Sequence, residues 1–252
     1  MSGVLDYPIV VFVLSLLLVW VAVQIGGWIG HHRPLQESQR NDLSLLTNAS
    51  LTLLALIIGF SFSMAVSRYD QRKNYEEEEA NAIGTEYFRV GLIPAAEATR
   101  VRRLLSEYLQ QRVLFYETHD SERLGEIDSK TAKLQTEMWT IVQDAAVAQP
   151  TPPMELVVSG MNDVLNRQGY TQAAWWNRIP AGAWTLMAAL AVFCGLLIGY
   201  SVHRRGAVLL FTILPLVVSV AFFLIADIDS PRHGVIRVLP QNLISLSETM
   251  GK

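Results

Sequence analysis

Thr52, Leu56, Phe60, Ser63 and Ser67 fall close to one face of a helix, as an apolar stripe bordered by hydroxyls. If copies of this stripe met around an axis, they could line a narrow passage that dewets at its apolar residues. The competing reading is that hydroxyls at membrane depth bond back to their own helix or to a neighbouring one. Just beyond the stripe, Arg68, Asp70, Arg72 and Lys73 arrive within two turns, with no glycine or proline to stop the helix. Glu76–Glu79 then supply four consecutive carboxylates. They could form a cation-attracting ring between subunits, but a solvated face with i,i+4 partners at Arg72 and Lys73 is the preferred reading. Asp227 and Asp229, in ADIDSPRHG, are weak candidates for holding calcium. They could equally pair with Arg232 or Arg237, or simply end an apolar run.

Other chemistry is poorly supported. His31 and His32 are adjacent, and His119, His203 and His233 are scattered, so none has the three- or four-residue ligand spacing of a helical metal site. Cys194 is the single cysteine and lies in an apolar run, so it is read as a small buried thiol. The sequence contains no nucleophile elbow, P-loop, dinucleotide fingerprint or zinc-protease helix. Neither an enzyme nor a cofactor is expected.

The elements that must position the stripe follow from hydropathy. The chain has 252 residues, 51% of them apolar, and a net charge of −3; its mean hydropathy is +0.28. This balance fits a chain that is partly in lipid and partly in water, and gives no sign of nucleic-acid binding. Four segments reach the roughly 20 residues that a bilayer requires: Ile9–Ile29, about Thr47–Val66, about Ala183–Val202 and Ala207–Ile228. The first has Asp6 and no basic residue ahead of it and no small-residue cleavage site after it, so it is expected to be a retained span rather than a signal peptide.

With four spans, both termini and the long 67–178 segment share one side. Arg68, Arg72, Lys73, Arg167, Arg178, Arg232 and Arg237 lie near the membrane there, against Arg33, Arg40, Arg204 and Arg205 opposite. The positive-inside rule places the first group in the cytoplasm. The expected organisation is a first span pair in 1–66, a cytoplasmic helical domain in 67–178, a second pair in 179–228 and a cytoplasmic tail in 229–252. The fold class is all-α: four transmembrane helices with a helical cytoplasmic bundle.

Within the water-side segment, the helix leaving the second span is expected to reach about Val90, where Gly91 and Pro94 stop it. It carries Ala80, Ile83 and Tyr87 on one face, with Glu76–Glu79 mostly elsewhere. A second helix spans about Ala95–Tyr116. A third carries Leu124, Ile127, Thr131, Leu134, Met138, Ile141 and Ala145 at alternating steps of three and four, a bundle packing stripe. Pro150, Pro152 and Pro153 end that helix, and a last one covers about Met154–Arg167. Trp175, Trp176 and Trp184 read as interfacial aromatics where the chain re-enters the bilayer. The apolar Val235–Leu246 is expected to pack on the bundle or on a neighbouring subunit. Gly26, Gly27 and Gly30 read as helix-packing residues or as a membrane-interface exit, rather than as a phosphate site.

The junction GFSFSMAVSRYD resembles the end of the second membrane helix of bestrophins, the anion channels, with Gly59, Phe60, Arg68 and Tyr69 in register. Over nearly its full length the chain resembles the bestrophin-like family of bacterial membrane proteins. LALIIGFSFSMAVSRYDQRK, EEANAIGTEY and DIDSPRHGVIRV carry that likeness. The resemblance implies a homo-oligomer, a pentamer by analogy, in the bacterial inner membrane, with the second helices around a pore for an ion, by analogy an anion.

The hydrophobic neck would fall on Thr52, Leu56 and Phe60, where Thr52 departs from an apolar pattern. Ser63 and Ser67 would line the pore below it, with Arg68, Arg72 and Lys73 at the cytoplasmic mouth. Asp70 replaces an expected aromatic, and DIDSPRHG does not match the acidic cluster of calcium-gated bestrophins. Partners would be membrane lipid, further copies of the chain and the permeant ion. The alternative is a non-conducting scaffold or sensor whose helical bundle docks a partner protein.

Overall fold

The computed structural model describes residues 3–33, 36–201 and 208–250. Val202, His203, Arg204, Arg205 and Ala207, named above as span ends and loop residues, lie outside them. The described residues form helices and connecting loops without a strand: α1 (Pro8–His32), α2 (Glu37–Arg89), α3 (Ala95–Glu117), α4 (Ser121–Ala148), α5 (Pro152–Trp176), α6 (Ala181–Ser201), α7 (Val208–Asp229) and α8 (Gln241–Met250). The fold is all-α. Among the described residues, four helices are long and apolar enough to cross a membrane.

Two differences from expectation concern helix ends. α2 starts ten residues before Thr47 and runs for 53 residues without a break. α5 starts at Pro152 and continues to Trp176 rather than ending near Arg167. Proline is tolerated at the first helical position, where its missing N–H would have no intrahelical partner, so the proline cluster that ends α4 also starts α5.

The chain makes two compact units, one from Met1–Tyr69 with Arg178–Arg237 and one from Asp70–Asn177 with Val238–Lys252. In the first, Val11 and Val19 of α1, Leu54 and Ala65 of α2, Met187, Ala191 and Cys194 of α6, and Val218, Phe222 and Ile225 of α7 share one apolar core. α1 and α6 approach backbone to backbone. A Cβ on Gly26 would collide with the Leu196 carbonyl, and one on Gly199 with the Val23 carbonyl. Gly26 and Gly30 on α1 meet the backbone of Leu196 and Tyr200, and Gly195 and Gly199 on α6 meet that of Val19 and Val23, so each helix brings a Gly-x-x-x-Gly pair to the seam, the small-residue arrangement that lets apolar helices pack in lipid. This confirms the packing role expected of Gly26 and Gly30.

In the second unit, Ile127, Thr131, Leu134, Met138, Ile141 and Ala145 are all buried along α4, as their spacing predicts. Asp120 caps that helix by accepting from the Glu122 N–H at 3.1 Å. The tryptophans divide differently from expectation. Trp176 is exposed, whereas Trp175 is buried against Phe115 and Tyr116, with ring centroids 5.0 and 5.3 Å away. Trp184 is buried in the first unit against Phe222. Of the three, Trp176 alone is exposed.

Gly199→Ala should force α1 and α6 apart, because the added methyl meets backbone rather than a movable side chain. The expected loss is about 1–3 kcal/mol, typical of overpacking, read as a lower unfolding temperature in detergent. Gly182→Ala, with open space around it, should leave that temperature unchanged.

Candidate functional site

α2 presents different chemistry along its two halves. In the first unit its inward face is Leu54, Ser61 and Ala65, backed by Leu51, Ile57, Ile58 and Val66. Its outward face carries the sequence-predicted stripe: Thr52, Leu56, Phe60, Ser63 and Ser67 are all exposed on the single protomer, Leu56 at 50% and Phe60 at 62%. The structure therefore brings these five residues onto one free face. The Thr52 hydroxyl donates to the Asn48 carbonyl at 2.9 Å, as the back-bonding reading anticipates. Among the described residues, neither Ser63 nor Ser67 spends its hydroxyl on a protein partner, whereas Ser50 on the same helix bonds back to Leu46 at 2.7 Å. Gly59 has open space where a Cβ would stand, so the face is shallow beside Phe60.

At the end of the stripe the charged residues separate. Arg68 is half-buried and lies 3.9 Å from Asp229. Arg72 is 1% exposed, inside the second unit, while Lys73 is exposed. Of the three cations expected at a mouth, Lys73 alone projects freely from the protomer.

Asp227 and Asp229 are engaged by the protein. Asp227 accepts from the backbone N–H groups of Val235 and Ile236 at 2.7 and 2.8 Å, which folds the chain back after α7. Asp229 accepts from the Ile179 N–H and from Arg178 Nε, each at 3.2 Å. Arg178 also donates to Asp6 at 2.7 Å, and the Ser230 hydroxyl donates to the Asp6 carbonyl at 2.9 Å. Asp229 thus ties the start of the chain, the entry to α6 and the end of α7 together. Every carboxylate oxygen of both residues has a protein donor, so both serve as structural anchors.

The glutamate run is where the sequence reading needs correction. Glu76 and Glu79 are not a solvated face: both are buried, on the same side of α2 as Ile83. Arg72, Glu76, Glu79, Ile83, Glu86 and Val90 are buried at alternating steps of four and three, so the inward stripe of this half of α2 is mostly charged. Glu76 caps α8 from outside the helix. Its carboxylate accepts from the Asn242 N–H at 2.9 Å, the Leu243 N–H at 3.0 Å and Asn242 Nδ2 at 2.6 Å. Those are the second and third helical N–H groups, which lack intrahelical partners and carry the positive end of the helix dipole.

Glu79 holds Arg112 of α3 and accepts from the Thr171 hydroxyl of α5 at 3.0 Å. The Arg112 guanidinium lies over the Phe115 ring, 4.4 Å from its centroid, so a π-face takes charge that oxygen does not. Burial would push Arg112 down, but Glu79 and the neighbouring Tyr108 and Tyr116 outweigh it and hold the guanidinium above its usual value. Burial, reinforced by Glu79, pushes the Tyr108 phenol up. Glu78 pairs with Arg167 at 2.5 Å nearer the surface, and Glu77 is exposed.

Glu79→Ala should strand the Arg112 charge in the bundle. The expected cost is about 3–5 kcal/mol, the usual penalty for breaking a buried pair from one side, seen in chemical denaturation. Glu77→Ala should leave the midpoint in place.

A family model for a bestrophin-like domain matches residues 10–243 of the chain. Two structures of a bacterial bestrophin homologue from Klebsiella pneumoniae, each with a single substitution, share the fold. One has a TM-score of 0.63 at 14% identity and covers 96% of this chain and 97% of that one. The other has 0.65 at 13% identity and covers 95% and 93%. A polyamine aminopropyltransferase from Leptospira interrogans is 27% identical over 157 residues, 62% of this chain. The chain spans about a quarter of that protein's length, 26%.

Proposed function

The chain belongs to the bestrophin-like family, and on that premise we propose that it forms a homo-oligomeric ion channel whose α2 helices surround the pore. The observation that carries this reading is the outward face of α2. Ser63 and Ser67 turn unspent hydroxyls away from the protomer within an apolar helix, next to Thr52, Leu56 and Phe60. Hydroxyls facing lipid would go unsatisfied, whereas facing a water-filled path they are solvated. A pentamer is the assembly we favour, with Phe60 and Leu56 as a dewetting neck, Thr52 beside them and the serines below.

The passenger we propose is an anion. Lys73 would act at the mouth directly, and Arg68 and Arg72 through the field from inside the protomer, where Asp229 offsets part of the Arg68 charge. The arginine distribution supports an inner-membrane protein with its termini and 67–178 in the cytoplasm. The likeness to an aminopropyltransferase spans too little of that enzyme to carry its activity over.

One observation favours a second reading, a non-conducting scaffold. At the α4–α5 turn, Trp139, Ala146, Pro150, Met154 and Val158 line a groove of about 470 Å³ suited to an apolar partner segment.

Purified protein in a planar bilayer under a salt gradient should give steady unitary currents that reverse near the anion equilibrium potential. Phe60→Ala should raise the conductance or the leak. Silent bilayers with verified incorporation, for both proteins, would favour the scaffold; reversal at the cation potential would reject anion selectivity.

A further inference from the structure

Glu86 is the member of the charged α2 stripe without a partner. It is fully buried, and neither carboxyl oxygen receives a hydrogen bond among the described residues. Its Oε2 stands where a Cβ on Gly160 of α5 would be, and Arg89 Nη1 lies 2.8 Å from the same point, so the absence of a side chain at Gly160 is what admits both groups. Gly160 also walls a polar cleft of about 250 Å³ between α2 and α5, lined by Asn81, Thr85, Arg89, Asp163 and the Glu78–Arg167 pair. The charged groups around Glu86 are thus Arg89 on α2, and Asp163 and Arg167 on α5. On α3, Arg102 is bonded to the Tyr87 carbonyl at 3.1 Å.

We propose that Glu86 is a proton-operated latch between α2 and α5. When neutral, its carboxyl lies against Gly160 and the two helices close. When ionised, it turns out into solvent in the adjoining cleft, and the contact with Gly160 loosens. An ionised carboxylate that is buried and receives no hydrogen bond is costly even with Arg89 beside it, and the adjoining cleft offers it solvent within a side chain's reach. Burial pushes the Glu86 carboxyl up to about 8; Arg89 opposes the rise and Asp163 adds to it.

The native state therefore keeps a proton that an unfolded chain releases near the ordinary value of 4.5. Stability should fall as pH rises between those two values, and the dependence should level off above about 8. Glu86 and the outward stripe of Thr52–Ser67 lie on one unbroken helix, α2. Resting on the channel reading, the latch would make the current sensitive to pH on the Glu86 side.

The test uses full-length protein in lipid vesicles, between about pH 6 and about pH 10, the window around a perturbed carboxyl. Infrared difference spectra should show a protonated-carboxyl band that disappears on alkalinisation in wild type and is missing in Glu86→Gln. Amide exchange, corrected for its intrinsic pH dependence, should accelerate in α2 and α5 around Glu86 and Gly160 in wild type and stay level in Glu86→Gln. Gly160→Ala, whose methyl takes the carboxyl's place, should remove the band already at the acid end.

An identical band change in Glu86→Gln, or no band change in wild type, would overturn the latch. So would a band change without altered exchange. A wild-type current indifferent to pH, in a preparation with the infrared change, would overturn its regulatory role. Silent bilayers bear on the channel reading and leave these infrared and exchange results to decide the latch.

Discussion

A helix that leaves an apolar stretch and continues into a water-side bundle must bury different chemistry on each half, without a break. α2 does this along its 53 residues. Through Ala65 its inward residues are small or apolar and pack on α1, α6 and α7. From Arg72 onward the inward positions are largely charged, and Arg112 and Asn242 supply the groups that make this tolerable. A buried carboxylate costs several kcal/mol unless paired and hydrogen-bonded, so the bundle can close only in an arrangement that brings those groups to it. Glu79 fixes α3 and α5 against α2, and Glu76 fixes the start of α8. The second unit is specified by charge matching as much as by the apolar stripe of α4.

The sequence displayed the helices more plainly than their partners. Continuous apolar runs marked the four membrane-length helices, and the three-and-four spacing from Leu124 to Ala145 marked the inward face of α4. The length of α2 followed from the lack of glycine or proline near Arg68. The burial of Glu76 and Glu79 was hidden because four consecutive glutamates cover most of a turn and select no face. Their partners lie far off in sequence: Arg112 is 33 residues from Glu79, and Asn242 is 166 from Glu76. A step of four and three from Arg72 through Ile83 to Val90 was present as a signal, but charged residues at inward positions run against ordinary patterning. Asp229 has the same difficulty, since its partners Ile179 and Arg178 lie 50 and 51 residues away in sequence, before α6.

The outward face of α2 was legible for a simpler reason. Its members are spaced by four and three along an apolar helix, and exposure on the protomer follows directly. Fold kinship at 13–14% identity speaks to architecture alone, so the functional weight rests on what that face offers: two apolar side chains, one threonine bonded to its own backbone and two serines with free hydroxyls. An apolar neck followed by solvated hydroxyls suits a path that is closed to water by default and opened by small movements of its lining helices.

The central claim is that this face of α2, and not its inward face, lines an ion path. Cys194 is the single natural cysteine and is buried, so a background with Cys194→Ser permits cysteine substitution along α2. Charged, membrane-impermeant thiol reagents should block current through variants at Thr52, Leu56, Phe60, Ser63 and Ser67, and leave those at Leu54, Ser61 and Ala65 untouched. Block at the inward set, or at neither set in a conducting preparation, would contradict the account.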